Sequence, residues 1–382
     1  MKKAIIFLFL SLLVILCFSC SDKVCADELS DNVKEQIEAL DLSELEEYYK
    51  NLMGEEESIT ETIKKMLGGE FSFDYNGISD FVIKAFFSKV KKIIPPILSV
   101  VAIAVFLSLL NGIKGSFFKD SIYETVFFAC FSAAIIILFS IFANIFIEVK
   151  NNIENLTKLS EIMSPIILTL MISSGAETSA AVFKPSVLFL SGGVMEIIAS
   201  FILPVIAVGL VMGTLSFFSR EIKLKKFSDF FGSVIKWVFG ITITVYGVFL
   251  TVQGIGSATF DGISFKAAKY VISNTVPLVG GFLKDGFDLV VAGSILIKNT
   301  VGIAVVILIF YTAISTTALI AAFSLLLNFT ASITESFSDE RLSGFCTLLS
   351  KHLGYLLAAL LITSLMFFIT VLFMIFSANG VL

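Results

Sequence analysis

Apolar residues run along this chain in blocks too long for a soluble core. Residues 95–113, 125–147, 186–219, 238–256, 300–329 and 353–377 form six of them. At a rise of about 1.5 Å per residue, each is long enough to cross the ~30 Å of hydrocarbon in a bilayer. Two more apolar stretches, 162–185 and 254–302, are interrupted. The first passes from Pro165 through Gly175 and Glu177 to Lys184-Pro185; the second carries Asp261, Lys266, Lys269, Pro277, Lys284, Asp285, Asp288, Lys298 and Asn299. A charge at mid-bilayer costs at least ~2.5–3.5 kcal/mol on insertion scales. These two stretches are therefore read as re-entrant or broken segments, at the interface or lining a wet cavity. The fold class that results is an all-α polytopic membrane protein with about six transmembrane helices and two such segments.

The interrupted stretches resemble each other. Ser164-Pro165 leads through apolar residues to Gly175 and Glu177, then to Lys184; Val276-Pro277 leads likewise to Gly286 and Asp288, then to Lys298. Paired interruptions in corresponding positions point to an internal repeat with a site near the midplane, as in many transporters. A chance match is the alternative. The basic loop 220–236, with Arg220, Lys223, Lys225, Lys226 and Lys236, belongs in the cytoplasm by the positive-inside rule. That requires 162–185 to fold back, and it leaves the 254 region and the C-terminus outside.

Ahead of the spans the pattern changes. Lys2-Lys3, an apolar run and small residues up to Ala26 describe a signal peptide, residues 1–26. Lipoprotein processing at Cys20 and an uncleaved anchor are the alternatives. Residues 27–80 form an acidic extracytoplasmic region. Leu42, Leu45, Tyr49 and Leu52, then Ile59 and Ile63, recur at helical spacing on two short helices broken at Gly54. Ser43 and Glu46 have the spacing of a capping box. The region reads as a solvated stalk or as a docking surface for another extracytoplasmic protein. Residues 81–94 alternate Lys84, Lys89, Lys91 and Lys92 with Phe and Val, as in a helix lying on the membrane surface. The polytopic domain is then 95–382.

Composition sharpens this picture without redirecting it. Of 382 residues, 57% are hydrophobic and 15% charged, well under the quarter usual in soluble domains. The net charge of -5 is concentrated in the N-terminal region. One His and five Cys, three of them by the leader, make neither a disulfide framework nor a metal cluster. Signatures for zinc peptidases, serine hydrolases and phosphate-binding loops are missing, and no cofactor is expected. Glu196 is the most deeply embedded acid, either functional or a protonated group bonded to a neighbouring helix. Glu177, Asp261, Asp285 and Asp288 are expected to pair with Lys184, Lys266, Lys284 or Lys298 as interfacial ion pairs, with an ion path as the alternative. His352 reads as an interfacial residue, and Gly209 with Gly213 as a small-xxx-small packing motif.

Several short runs carry a resemblance. Gln253-Gly254-Ile255-Gly256, Asp261-Gly262, Lys266-Ala267-Ala268-Lys269-Tyr270, Val276-Pro277 and Ile297-Lys298-Asn299-Thr300 are among them, with Ser164-Pro165 and Gly175-Ala176-Glu177-Thr178-Ser179. Together they are similar to the stage III sporulation protein AE family. The resemblance implies a non-enzymatic, permease-like core of a secretion-like channel between mother cell and forespore, in the mother-cell membrane around the forespore. It implies partners as well: a secretion-type ATPase, ring-forming components and a forespore-side protein, with no nucleic acid. It supplies no catalytic residues. A stand-alone secondary transporter of a small solute is the alternative.

Overall fold

The computed structural model describes residues 33, 36–37, 40–53, 58–68, 75–112, 120–218, 224–275, 280–337 and 340–377. All the regular structure in them is helical. Two short helices come first, α1 (Ser43–Met53) and α2 (Ile59–Leu67). Then follow α3 (Tyr75–Gly112), α4 (Asp120–Ser173), α5 (Glu177–Leu188), α6 (Leu203–Phe218), α7 (Lys225–Thr275), α8 (Gly280–Phe337) and α9 (Glu340–Ser377). Between α5 and α6 the helix continues through two wide π turns, Phe189–Val194 and Ile197–Ile202. Pro204 has no N–H to give the carbonyl of Ser200, which favours a widened ladder just before it.

Six of these rods are long and apolar enough to cross a membrane, and each of the six predicted spans falls in one of them. The chain is a multi-pass membrane protein. The α8–α9 pair is its centre: 61% and 56% of their most apolar windows are buried, against 28% for α3 and for α7. Leu98, Phe106 and Leu109 on α3, and Trp237, Val248 and Val252 on α7, face outward as a lipid-facing surface requires.

Contacts fix the direction of each rod. Arg341, at the start of α9, reaches Glu124, at the start of α4, at 3.4 Å and lies 3.8 Å over the Phe127 ring. Phe128 and Phe131 meet Phe218 at the end of α6, and Lys351 meets Asp229 at 2.7 Å. The starts of α4, α7 and α9 and the end of α6 therefore share one end. By sequence, the segments between these helices carry Lys114, Lys119, Arg220 and Lys223, and the positive-inside rule assigns such basic segments to the cytoplasm. The opposite end holds the reversal at 174–176, the end of α7, the start of α8, α1 and α2.

Two expectations change in detail. Residues 81–94 do not form a separate surface helix. They are the first half of α3, which continues through Pro95 and Pro96 into the span. Nor do α1 and α2 stand free as a stalk. Leu45, Ile59 and Ile63 are fully buried against the bundle, and only the acidic face meets solvent. Ser43 caps through Asp41, whose carboxylate accepts its amide at 3.2 Å and its hydroxyl. Glu46 does not reach back to Ser43. It crosses to α2 and accepts the Thr60 amide and hydroxyl, both at 3.2 Å.

Candidate functional site

The Gly175 motif lies where α4 turns back into α5. The Ala176 amide donates to the Met171 carbonyl and the Gly175 amide to that of Ile172, both at 2.9 Å. Gly175 itself sits at φ 81°. This is a Schellman stop, and its αL position favours glycine because a Cβ there would crowd the backbone. The chain has no spare residue before α5 begins. Ala176, at the cap position, has no side chain to satisfy the first amides of the new helix.

A residue 82 positions away satisfies them. Asp261, on α7, is 1% exposed, and its two oxygens accept the Thr178 and Ser179 amides at 2.8 Å each. An anion at a helix N-terminus is favoured by the aligned peptide dipoles as well as by these bonds. The two interrupted stretches thus meet at a buried carboxylate, and Asp261 uses both oxygens on backbone rather than on a lysine.

A lysine serves the other kind of helix end. Lys298, on α8, is fully buried, and its Nζ donates to the Ile375 carbonyl in the last turn of α9 at 2.6 Å. A side-chain donor there satisfies one of the carbonyls left over at a helix C-terminus. Gln36, from the N-terminal segment, straps the same end. Its amide donates to the Val290 carbonyl at 3.2 Å and its oxygen accepts the Ser294 hydroxyl at 3.1 Å. Gly293 leaves room for it, since a Cβ there would stand 3.3 Å from the Gln36 amide.

The remaining predicted residues are dispersed. Glu177, Lys184 and Lys266 are exposed. Glu196 is exposed on the π-turn segment and accepts the Ser200 hydroxyl one turn on. Asp288 and Asn299 are half-buried on α8, and the Asn299 carboxamide oxygen has no hydrogen-bond partner among the described residues. The side chains of Lys269 and Asp285, and Pro277 entirely, lie outside the described residues. His352, read from sequence as interfacial, has its ring inside the bundle. It is fully buried, bonds the Leu348 carbonyl at 2.9 Å and packs against Gly209.

A cleft between α3, α4 and α8 escaped the sequence reading. It encloses about 640 Å³, and Asn151, Asn152, Asn155, Thr312, Ser315 and Thr316 line it. The signal was present as two polar clusters, one just after the second span and one inside the fifth. Each looked like ordinary helix polarity because nothing in sequence says they face each other. Among the described residues no three His, Cys, Asp or Glu side chains gather as metal ligands would.

A family model described as stage III sporulation protein AE matches residues 57–378. The stage III sporulation protein AE of Bacillus subtilis strain 168 is 25% identical over 281 residues, which cover 74% of this chain and 70% of that protein. No solved structure matches.

Proposed function

Because the chain belongs to the stage III sporulation protein AE family, we propose that it is the permease-like membrane core of a channel complex between mother cell and forespore, needed for endospore formation. In this reading it sits in the mother-cell membrane around the forespore and works without catalysing a reaction. Its partners are a secretion-type ATPase, ring-forming components and a forespore-side protein. The supporting observation is the shape of the membrane body. The longest rods, α4 with 54 residues and α8 with 58, exceed the thickness of a bilayer, and the end of the bundle opposite the basic loops is a crown tied by Asp261, Lys298 and Gln36. A crown locked in this way suits a surface on which other proteins assemble.

The test is purification of the tagged chain from sporulating cells in mild detergent. Wild type is compared with Glu196→Gln and Asp288→Asn, with co-purifying partners and forespore development as readouts. Recovery of the chain without an ATPase or ring component would sink the assignment. Normal assembly with blocked development in the acid variants would favour a conducting role for those carboxylates. Normal assembly with normal development would make the chain a scaffold and pore wall.

A further inference from the structure

We propose that α3, where it leaves the hydrocarbon, holds an anionic phospholipid with a hydroxylated headgroup, of the phosphatidylglycerol type. The apolar run of α3 begins at Pro95. Lys89 bonds Glu148 at 3.4 Å, and Glu148 is where charges resume after the apolar run of α4. Two neighbouring helices thus mark the same edge of the hydrocarbon, on the side opposite the basic loops. Lys91 and Lys92 stand about 4.5–6 Å beyond Pro95 along the helix axis. The headgroup layer is about 5–7 Å deep on each face of a bilayer, so their ammonium groups lie at the depth of lipid phosphates.

Lys89 has an acid and these two do not. Lys91 and Lys92 are exposed, and neither is in an ion pair among the described residues. Positive charge on this side runs against the positive-inside rule, so membrane orientation does not account for it. Ile94 and Leu98 are exposed on the same side of the helix, towards the hydrocarbon, where an acyl chain can lie along them.

The backbone supplies the other half of the site. Pro95 and Pro96 lie inside α3 and have no N–H to give the carbonyls four residues back, which are those of Lys91 and Lys92. The same two residues therefore present two cations and two carbonyls without their helical donors. A phosphate accepts from the ammonium groups, and the carbonyls call for a donor. Phosphatidylcholine cancels its own charge and has no donor. Phosphatidylglycerol carries an anionic phosphate and, a few bonds away, hydroxyls that can donate. An acidic protein segment would set its carboxylates against the open carbonyls, which favours the lipid. Lipid capture here does not require that the chain belong to a channel.

The test uses the full chain in nanodiscs of equimolar phosphatidylglycerol and phosphatidylcholine, with retained lipid counted by native mass spectrometry. Wild type is expected to retain phosphatidylglycerol over phosphatidylcholine by about tenfold or more, from two lysines at an anionic headgroup. Lys91→Gln combined with Lys92→Gln should abolish that preference. Lys84→Gln, which removes an exposed charge on α3 farther from the lipid, should change it by less than about twofold. Phosphatidylmethanol has the same charge and no hydroxyl, and wild type should retain it less well than phosphatidylglycerol. Pro95→Ala combined with Pro96→Ala restores both N–H donors to a helix that is already continuous. It should keep the preference for anionic lipid and lose the preference for the hydroxylated one. Equal retention of phosphatidylglycerol and phosphatidylcholine by wild type overturns the proposal, as does a Lys84→Gln effect as large as that of the double lysine variant. Equal retention of phosphatidylglycerol and phosphatidylmethanol by wild type overturns the hydroxyl recognition.

Discussion

Replacing Asp261 tests the junction at the crown most directly. Its carboxylate holds the Thr178 and Ser179 amides at 2.8 Å with almost no access to water. Hydrogen bonds to charged groups contribute about 1.5–3 kcal/mol each, and stranding buried donors costs about 1–3 kcal/mol each. Both bonds vanish in Asp261→Ala, so the expected loss is about 2–5 kcal/mol. Asp261→Asn keeps one acceptor oxygen and loses the charge, and should lie about midway. The assay is unfolding of the purified chain in mixed micelles, paired with limited proteolysis of the 174–176 turn, where cleavage should quicken first. The sporulation defect of a strain lacking its own copy should be rescued in the order wild type, Asn, Ala. An alanine variant within about 0.5 kcal/mol of wild type, with an unchanged cleavage rate, would refute the cap as a source of stability.

Other consequences are equally open to measurement. Gly175→Ala puts a Cβ at φ 81° and should cost about 1 kcal/mol in the same unfolding assay. At Gly213 a Cβ would come 2.7 Å from a Leu348 methyl and 2.9 Å from the Ser228 hydroxyl, both side chains with some freedom to move. Alanine there should cost about 1–3 kcal/mol, while leucine should prevent recovery of monodisperse protein on size exclusion. Lys298→Met preserves the buried stem and should be better tolerated than Lys298→Ala, with hydrogen exchange near Ile375 faster in both. Burial raises the Glu46 pKa, but the hydrogen bonds from Ser58 and Thr60 together with Lys50 hold it below the ordinary glutamate value. A depressed carboxylate pKa contributes stability above its unfolded pKa and loses it as pH falls through the folded one, so α1 and α2 should exchange faster below about pH 4.

The spans were legible because a run of some twenty apolar residues has one economical interpretation in water and lipid. The Gly175 and Asp261 motifs could also be picked out, as features that a plain span does not need. Their relation could not be read. Nothing local says that a carboxylate in one interrupted stretch caps a helix in the other, because the pairing exists only once α4, α5 and α7 are stacked. Residues 81–94 misled for a related reason. A lysine-rich amphipathic face looks the same on a helix lying flat as on one rising from the membrane, and Pro95-Pro96 suggests a break that packing against α4 and α8 overrides. His352 was placed at an interface by its neighbour Lys351, although its own ring turns inward against Gly209.

The overshoot of the rods has a mechanical side. With 54 residues, α4 is about 81 Å long. Its apolar run spans 125–147 and charges resume at Glu148, so the 26 residues from there to Ser173, about 39 Å of helix, continue past a span-length run. That makes the bundle a lever pivoting in the bilayer. A tilt of about 20°, ordinary for membrane helices, swings the tip sideways by about 13 Å, and a tilt of about 5° by about 3 Å. Whatever grips the crown therefore sets the angle at which the buried half sits in the lipid, and small rotations below become large excursions above.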